Sequence, residues 1–259
     1  MKKTTSLATL LLLSIFFITN CSKSDDISND EISEDSRLRI TKMAYNKYLD
    51  NPNTFFEYDS DNLLVKLTIN SSNGRKKICE VQYDAENNPI KVTRTYFESE
   101  GVPDNGETVI VDIQWTNEGY ILKYGNYDYD DEQDTILIDS QMRVIGLNDN
   151  YIFDWTGNDS LTVRYVPSNS IEKFSFNNYK HPWSGINIAV INAMDISLGE
   201  WEVEWQNNYC LREYDDGSWI IKNEYTVNEQ GYPTLMETRY LNTDENLPNE
   251  YMSFEYESY

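Results

Sequence analysis

The chain has 259 residues, of which 44 are acidic and 21 basic, for a formal net charge of −23. A surface of that sign repels a phosphate backbone, which excludes nucleic acid as a partner. The length suits one domain or two close-packed ones, and with a single histidine, His181, any histidine-based catalytic centre would have to use that residue.

The first segment carries Lys2 and Lys3, then an apolar run from Leu7 to Ile18 broken only by Thr9 and Ser14, and then Cys21. That order of basic, apolar and cleavage regions is the pattern of a secretory signal. The run is shorter than the roughly 20 apolar residues a membrane helix needs, and no later stretch approaches that length. The junction "ITNC" resembles the lipobox of bacterial lipoproteins, although only loosely, because the small residues usual before the cysteine are absent. The resemblance implies that residues 1–20 are removed and that Cys21 becomes a lipidated N-terminus, so that lipid chains hold the protein to the membrane. The following "CSKSDD" is similar to the acidic export signal of Bacteroidota lipoproteins carried to the outer face of the outer membrane, which implies an exterior-facing location. Residues 21–37 include Asp25, Asp26, Asp30, Glu31, Glu34 and Asp35 with few apolar side chains, and read as a flexible acidic tether. Residues 38–259 then form one folded domain.

Within that domain an aromatic residue, a polar turn and a lysine recur. Tyr58 and Lys66, Tyr83 and Lys91, Trp115 and Lys123, and Tyr214 and Lys222 are each eight residues apart, enclosing "DSDNLLV", "DAENNPI", "TNEGYIL" and "DDGSWII". Each copy reads as a β-hairpin with an Asp, Asn, Ser or Gly turn and a return arm rich in β-branched residues. Weaker copies start at Ile138, Trp155 and Val227. Across a four-residue turn, Lys91 would face Glu80 and Lys123 would face Asp112. Strand alternation is also visible near the C-terminus, where "EWEVEW" sets Trp201 and Trp205 on one face and "YMSFEY" sets Met252, Phe254 and Tyr256 on one face. One stretch departs from this pattern. In "HPWSGINIAVINAMDIS", Ile186, Val190 and Met194 recur at helical spacing with Ser184 as a candidate N-cap, so a short helix near 185–194 is expected to cover an edge or end of the sheet. The class is therefore all-β, an antiparallel meander of repeated hairpins forming a curved or twisted sheet with one short helix.

"YDSDNLLVKL" and "YDAENNPIKV" resemble the YD-type repeats of Bacteroidota outer-membrane lipoproteins of unknown function, distant in pattern from RHS/YD repeats. The resemblance spans residues 38–259, and "NNYKHPWSGI" is similar to a segment such lipoproteins carry before a short helix. It implies a curved meander on a lipid tether with no established activity. The Gly-Arg that commonly follows the turn in RHS repeats is absent, and the chain is too short to enclose much.

Individual residues offer few sites. Cys79 and Cys210 occupy equivalent places in "CEVQYD" and "CLREYD", where two buried free thiols are preferred to a disulfide. Asp128, Asp130 and Glu132 alternate like the start of a calcium loop, but Gln133 stands where glycine is required, and a solvated loop is the better reading. Thr135 in "DTI" and Ser160 in "DSL" match a short O-glycosylation motif of exported Bacteroidota proteins and are placed in turns or loops. His181 precedes Pro182 and reads as a loop histidine packed on Trp183. No cofactor motif is present, and no carboxylate pair is singled out for glycoside hydrolysis. With 20 tyrosines and six tryptophans, aromatic faces are the best functional hint, and Trp183, Trp201 and Trp205 are the candidate ligand contacts. The expected function is that of a surface-exposed, non-enzymatic binding protein for a polysaccharide or an outer-membrane protein. The alternative is a structural subunit of an outer-membrane complex, with a glycoside hydrolase third.

Overall fold

The computed structural model describes residues 37–46, 53–71, 74–99, 102–125, 133–195, 208–214, 217, 220–241 and 249–259. They belong to the compact unit Ser36–Tyr259. Among the described residues there are sixteen strands and one helix. The first eight strands are β1 Leu38–Asn46, β2 Asn53–Tyr58, β3 Leu64–Asn70, β4 Lys76–Tyr83, β5 Pro89–Ser99, β6 Val102–Trp115, β7 Gly119–Gly125 and β8 Gln133–Ile138. Next come β9 Val144–Leu147, β10 Tyr151–Thr156, β11 Ser160–Tyr165, β12 Ser170–Phe176 and the helix α1 Ile188–Met194. The last strands are β13 Tyr209–Tyr214, β14 Ile220–Val227, β15 Pro233–Leu241 and β16 Glu250–Ser258.

Every strand pairs antiparallel with its neighbours in sequence, but the sheet does not stay open. β1 also pairs with β16, from Leu38 opposite Ser258 to Asn46 opposite Tyr251, and the sixteen strands form a closed barrel. The expected open, curved meander is thus corrected to a closed barrel. Strands of one twist sense bend a long sheet round until its edges meet. At the seam, Arg39 pairs with Glu257 at 2.7 Å and Lys42 with Glu255 at 2.7 Å, and the Arg39 guanidinium lies 4.5 Å from the centre of the Tyr58 ring.

The repeat has a physical basis in its turns. Asp59, Asp84, Asp139 and Asn228 each accept two backbone N–H groups of their own turn through one side-chain oxygen, from residues two and four positions on. Each such turn then places its fourth residue in the left-handed region: Asn62, Asn87, Met142 and Gly231. The strand pairing slips by one residue just before each acid or amide, at Glu57/Tyr58, Gln82/Tyr83, Leu137/Ile138 and Thr226/Val227. That slip sets Lys91 opposite Gln82 instead of Glu80, whereas the simpler turn after Trp115 does set Lys123 opposite Asp112. The aromatic residue of a unit reaches back to the neighbouring unit: the Tyr83 hydroxyl donates to the Leu64 carbonyl, Trp115 Nε1 to Pro89 and Trp155 Nε1 to Val144. Most of the recurring aromatics are therefore latches between adjacent hairpins.

Alternation decides the two faces. Leu67, Cys79, Val92, Val111, Leu122, Leu161, Phe174, Met252 and Phe254 point inward and are buried. Glu57, Glu80, Asp112, Lys123, Asp154, Lys173, Lys222 and Glu255 point outward and are exposed. A membrane-spanning barrel has the opposite arrangement, an apolar outer band around a polar lumen. Here, among the described residues, the inward positions are mostly apolar and the outward ones include many charged side chains, which suits water on the outside.

The helix begins three residues later than the Ser184 cap would place it. Asn187 is the N-cap, its side chain accepting the Ala189 N–H at 2.9 Å. All seven helical residues are buried, so α1 does not cover an edge; it fills the barrel interior against β5 and β6. The reason lies in "IAVINAM", which has no polar face for a surface position. Its last carbonyls, where the helix dipole is negative, meet donors from the wall: Arg94 Nε donates to Ala193 at 2.7 Å and Lys77 Nζ to Asp195 at 2.8 Å. Asn192 Nδ2 donates to the Tyr120 hydroxyl at 2.7 Å.

Candidate binding pocket

Because neighbouring strands run in opposite directions, the turns at 59–63, 84–88, 139–143, 157–159 and 228–232 all lie on one rim, together with the barrel ends of β1 and β16. The segment 177–187 crosses this rim before α1 descends into the core. It is pinned there by Lys180 N–H to Gly231, and by the Asn208 amide to the Tyr179 and Lys180 carbonyls. Between this segment and the turns lies a pocket of about 630 Å³, within the range that accepts small-molecule ligands.

The wall supplied by the crossing segment runs from His181 to Ile191. His181 stands edge-on to Trp183, with ring centres 5.8 Å apart, and its Nδ1 accepts the Trp183 N–H at 3.3 Å. Trp183 is 2% exposed and packs on Phe56 across the barrel, so it forms the inner wall of the pocket. Trp183, a candidate ligand contact from the sequence, thus lines the pocket from the core side and presents no exposed ring face. Gly185 has a φ of 94°, and it lets the chain turn beside the Tyr259 hydroxyl.

The opposite wall comes from the hairpin turns: Leu63 and Leu64, Tyr83 and Asn87, Gln141 to Arg143, and Asn158. The acids that begin these turns are bound into the turns themselves. Backbone and side-chain hydrogen bonds from Asn88, and a further one from Glu86, hold the Asp84 carboxyl below its ordinary range. Burial works to raise Asp139, but the Arg143 side chain, the Arg143 and Gln141 N–H groups and the Arg143 charge outweigh it and hold that carboxyl low. Arg143 itself is engaged, with Nη2 2.6 Å from Asp139, Nη1 donating to the Gly157 carbonyl, and its plane 5.1 Å from the Trp155 ring. The Tyr83 hydroxyl is pushed up, chiefly by burial and further by the Asp59 charge.

Among the described lining residues there is no aspartate or glutamate, the pair of carboxylates that glycoside hydrolysis generally uses. The single histidine is engaged through Nδ1 with the backbone beside it.

The other sites expected from sequence fall in various places. Cys21, Asp128, Asp130, Glu132, Trp201 and Trp205 lie outside the described residues. Cys79 and Cys210 are buried free thiols, and burial pushes the Cys79 thiol up to about 11. Thr135 sits within β8, with its N–H donating to Asn148 Oδ1, and Ser160 opens β11 opposite Thr156 and Ser175. Both are half-buried strand residues and not the turn or loop residues expected. Sequence reasoning missed Asn87, Gln141, Met142 and Asn158. The available signal was their place in the repeat: Asn87 and Met142 occupy the left-handed position of equivalent turns on one rim.

Comparison with models of known protein families finds no match, and comparison with curated proteins finds none either. Among solved structures, the chain is similar to a porin-like protein from Bacteroides uniformis, with 10% identity and a TM-score of 0.46 over 84% of this chain and 96% of that one. A porin-like protein from Bacteroides vulgatus matches with 11% identity and a TM-score of 0.41, over 85% of this chain and 99% of the other. Neither likeness is close enough to carry a function across.

Proposed function

We propose that the mature protein is anchored by lipid on Cys21 at the exterior face of a Bacteroidota outer membrane and that its barrel binds a ligand at the rim pocket, without catalysis. The observation that carries this reading is the pocket itself, an open cavity of about 630 Å³ at one end of a barrel whose outward positions, among the described residues, include many charged side chains. The barrel's polarity supports a body that stands in water, leaving attachment to the lipidated tether. A structural subunit joined through a free strand edge finds less support, since β1 and β16 pair with each other.

Tryptophan fluorescence of the detergent-solubilised mature protein, titrated with plant, mucin and microbial polysaccharides, tests the reading. Trp183 lines the pocket, so a saturable change is expected on binding. Ser184 is exposed at the pocket wall, and Ser184→Arg should block the response while leaving the unfolding midpoint unchanged. A response that survives Ser184→Arg would place the ligand elsewhere. Separately, Cys21→Ser should move the protein from the membrane fraction to the soluble fraction.

A further inference from the structure

The rim pocket departs from the rest of the molecule in its charge. In a chain with 44 acidic residues, the polar lining includes Asn87, Gln141, Asn158, His181, Ser184 and Asn187, and among the described residues it holds no acid and no lysine. Its one guanidinium, Arg143, is already paired with Asp139 and bound to the Gly157 carbonyl. The acids that open three of the rim turns, Asp59, Asp84 and Asp139, each hold two backbone N–H groups of their own turn.

Met142 is the second anomaly. Its φ is 63°, whereas the equivalent places in the other three turns hold Asn62, Asn87 and Gly231. Asparagine and glycine enter the left-handed region readily, and a long unbranched side chain does so at a cost. Met142 is nonetheless there, 45% exposed, on the pocket wall. A strained conformation that displays an apolar side chain to solvent at a cavity is a feature that turn formation does not need.

We infer that the rim pocket takes an uncharged saccharide, with Met142 as a ligand contact and a specificity-determining residue; this rests on the binding reading above. Amides and hydroxyls both donate and accept, as sugar hydroxyls require, and the thioether of Met142 with Ile186 offers an apolar surface to the C–H face of a ring. An anionic sugar would meet an arginine already neutralised and the field of a protein with net charge −23. A cationic ligand would find no carboxylate among the described lining residues.

The test is calorimetry and saturation-transfer NMR with neutral gluco-, galacto-, manno- and xylo-oligosaccharides against oligomers of uronic acids, using the detergent-solubilised mature protein. At least one neutral series should bind and the uronates should not. Met142→Asn should weaken that binding by roughly tenfold or more while raising the unfolding midpoint, since it restores the residue found at the equivalent turns. Asn87→Gly, which tolerates the same backbone, should weaken binding without unfolding the turn. Unchanged affinity in Met142→Asn, preference for uronates, or no binding of any neutral series would overturn the inference. Uronate binding abolished by Ser184→Arg would leave the pocket reading standing and remove only the ligand class, whereas neutral saccharide binding that survives Ser184→Arg would remove the pocket as the site.

Discussion

The two sides of the barrel interior are built from the same alternating strands and are filled differently. From β4 to β7 the inward residues are mainly aliphatic or aromatic, and the polar ones among them serve the helix: Arg94 reaches the Ala193 carbonyl and Tyr120 receives the Asn192 amide. From β12 to β16 the inward positions include Glu172, Arg212, Asn223, Thr238 and Glu250, all buried. These meet partners on neighbouring strands. Glu172 pairs with Arg212 at 3.0 Å, Thr238 donates to Asn223 at 2.8 Å, and Glu250 accepts the hydroxyls of Tyr45 and Tyr240. The alternation that turns a residue inward thus leaves open what it does there. A docked helix calls for apolar contact and donors aimed at its carbonyls, and a wall with buried polar groups calls for mutual hydrogen bonding.

The largest expected effect falls on the second wall. Glu172→Ala leaves the buried Arg212 guanidinium without its carboxylate and should cost about 3–5 kcal/mol in urea unfolding. The double replacement Glu172→Leu with Arg212→Met should recover most of that loss. If the single change costs as little as the double, the polar wall does not rest on this pair.

A smaller loss is expected on the helix side. Arg94→Leu removes a charged donor from the helix C-terminus and should cost about 1.5–3 kcal/mol. Cys79 Sγ lies 3.6 Å from the Met194 carbonyl, so a loosened helix end should expose it. Thiol labelling followed by mass mapping should show Cys79 reacting faster in Arg94→Leu than in the parent protein. Equal labelling would mean that packing alone holds α1.

The smallest effect separates the two sides by pH. Asp84, in the β4–β5 turn on the helix side, and Asp139, in the β8–β9 turn, have folded-state pKa values below the ordinary carboxylate value, whereas the equivalent turn between β14 and β15 uses the non-titrating Asn228. A lowered folded value means the contribution is complete above the ordinary carboxylate range and is lost as pH falls through the lowered value. Asp84→Asn keeps the turn acceptor and should flatten the fall of the melting temperature on acidification. A slope identical to that of the parent would assign acid sensitivity to other groups.

Much of this fold was legible residue by residue. The spacing of Tyr58, Tyr83 and Trp115 from their lysines marked real hairpins, the Asp112 to Lys123 register followed from turn length, and Met252, Phe254 and Tyr256 do share the inward face of β16. The lysine at 91 was displaced because the side chain of Asp84 organises a turn with one extra residue, a detail that depends on φ at Asn87 and not on composition. Of the aromatics named from sequence, Trp183 does line the pocket, though as a buried inner wall, while Trp115 and Trp155 latch neighbouring hairpins.

Local chemistry was enough to specify an all-β chain of repeated hairpins with one apolar helical segment, because turn residues, alternation and helical spacing act over a few positions. Closure, the place of the helix and the pocket are long-range properties. Leu38 meets Ser258 only after fifteen other pairings have accumulated their twist, and "IAVINAM" could know no interior to occupy until that ring had closed. Asn87, Met142 and Asn158 are far apart along the chain, and they share one wall because antiparallel order returns every second turn to the same rim.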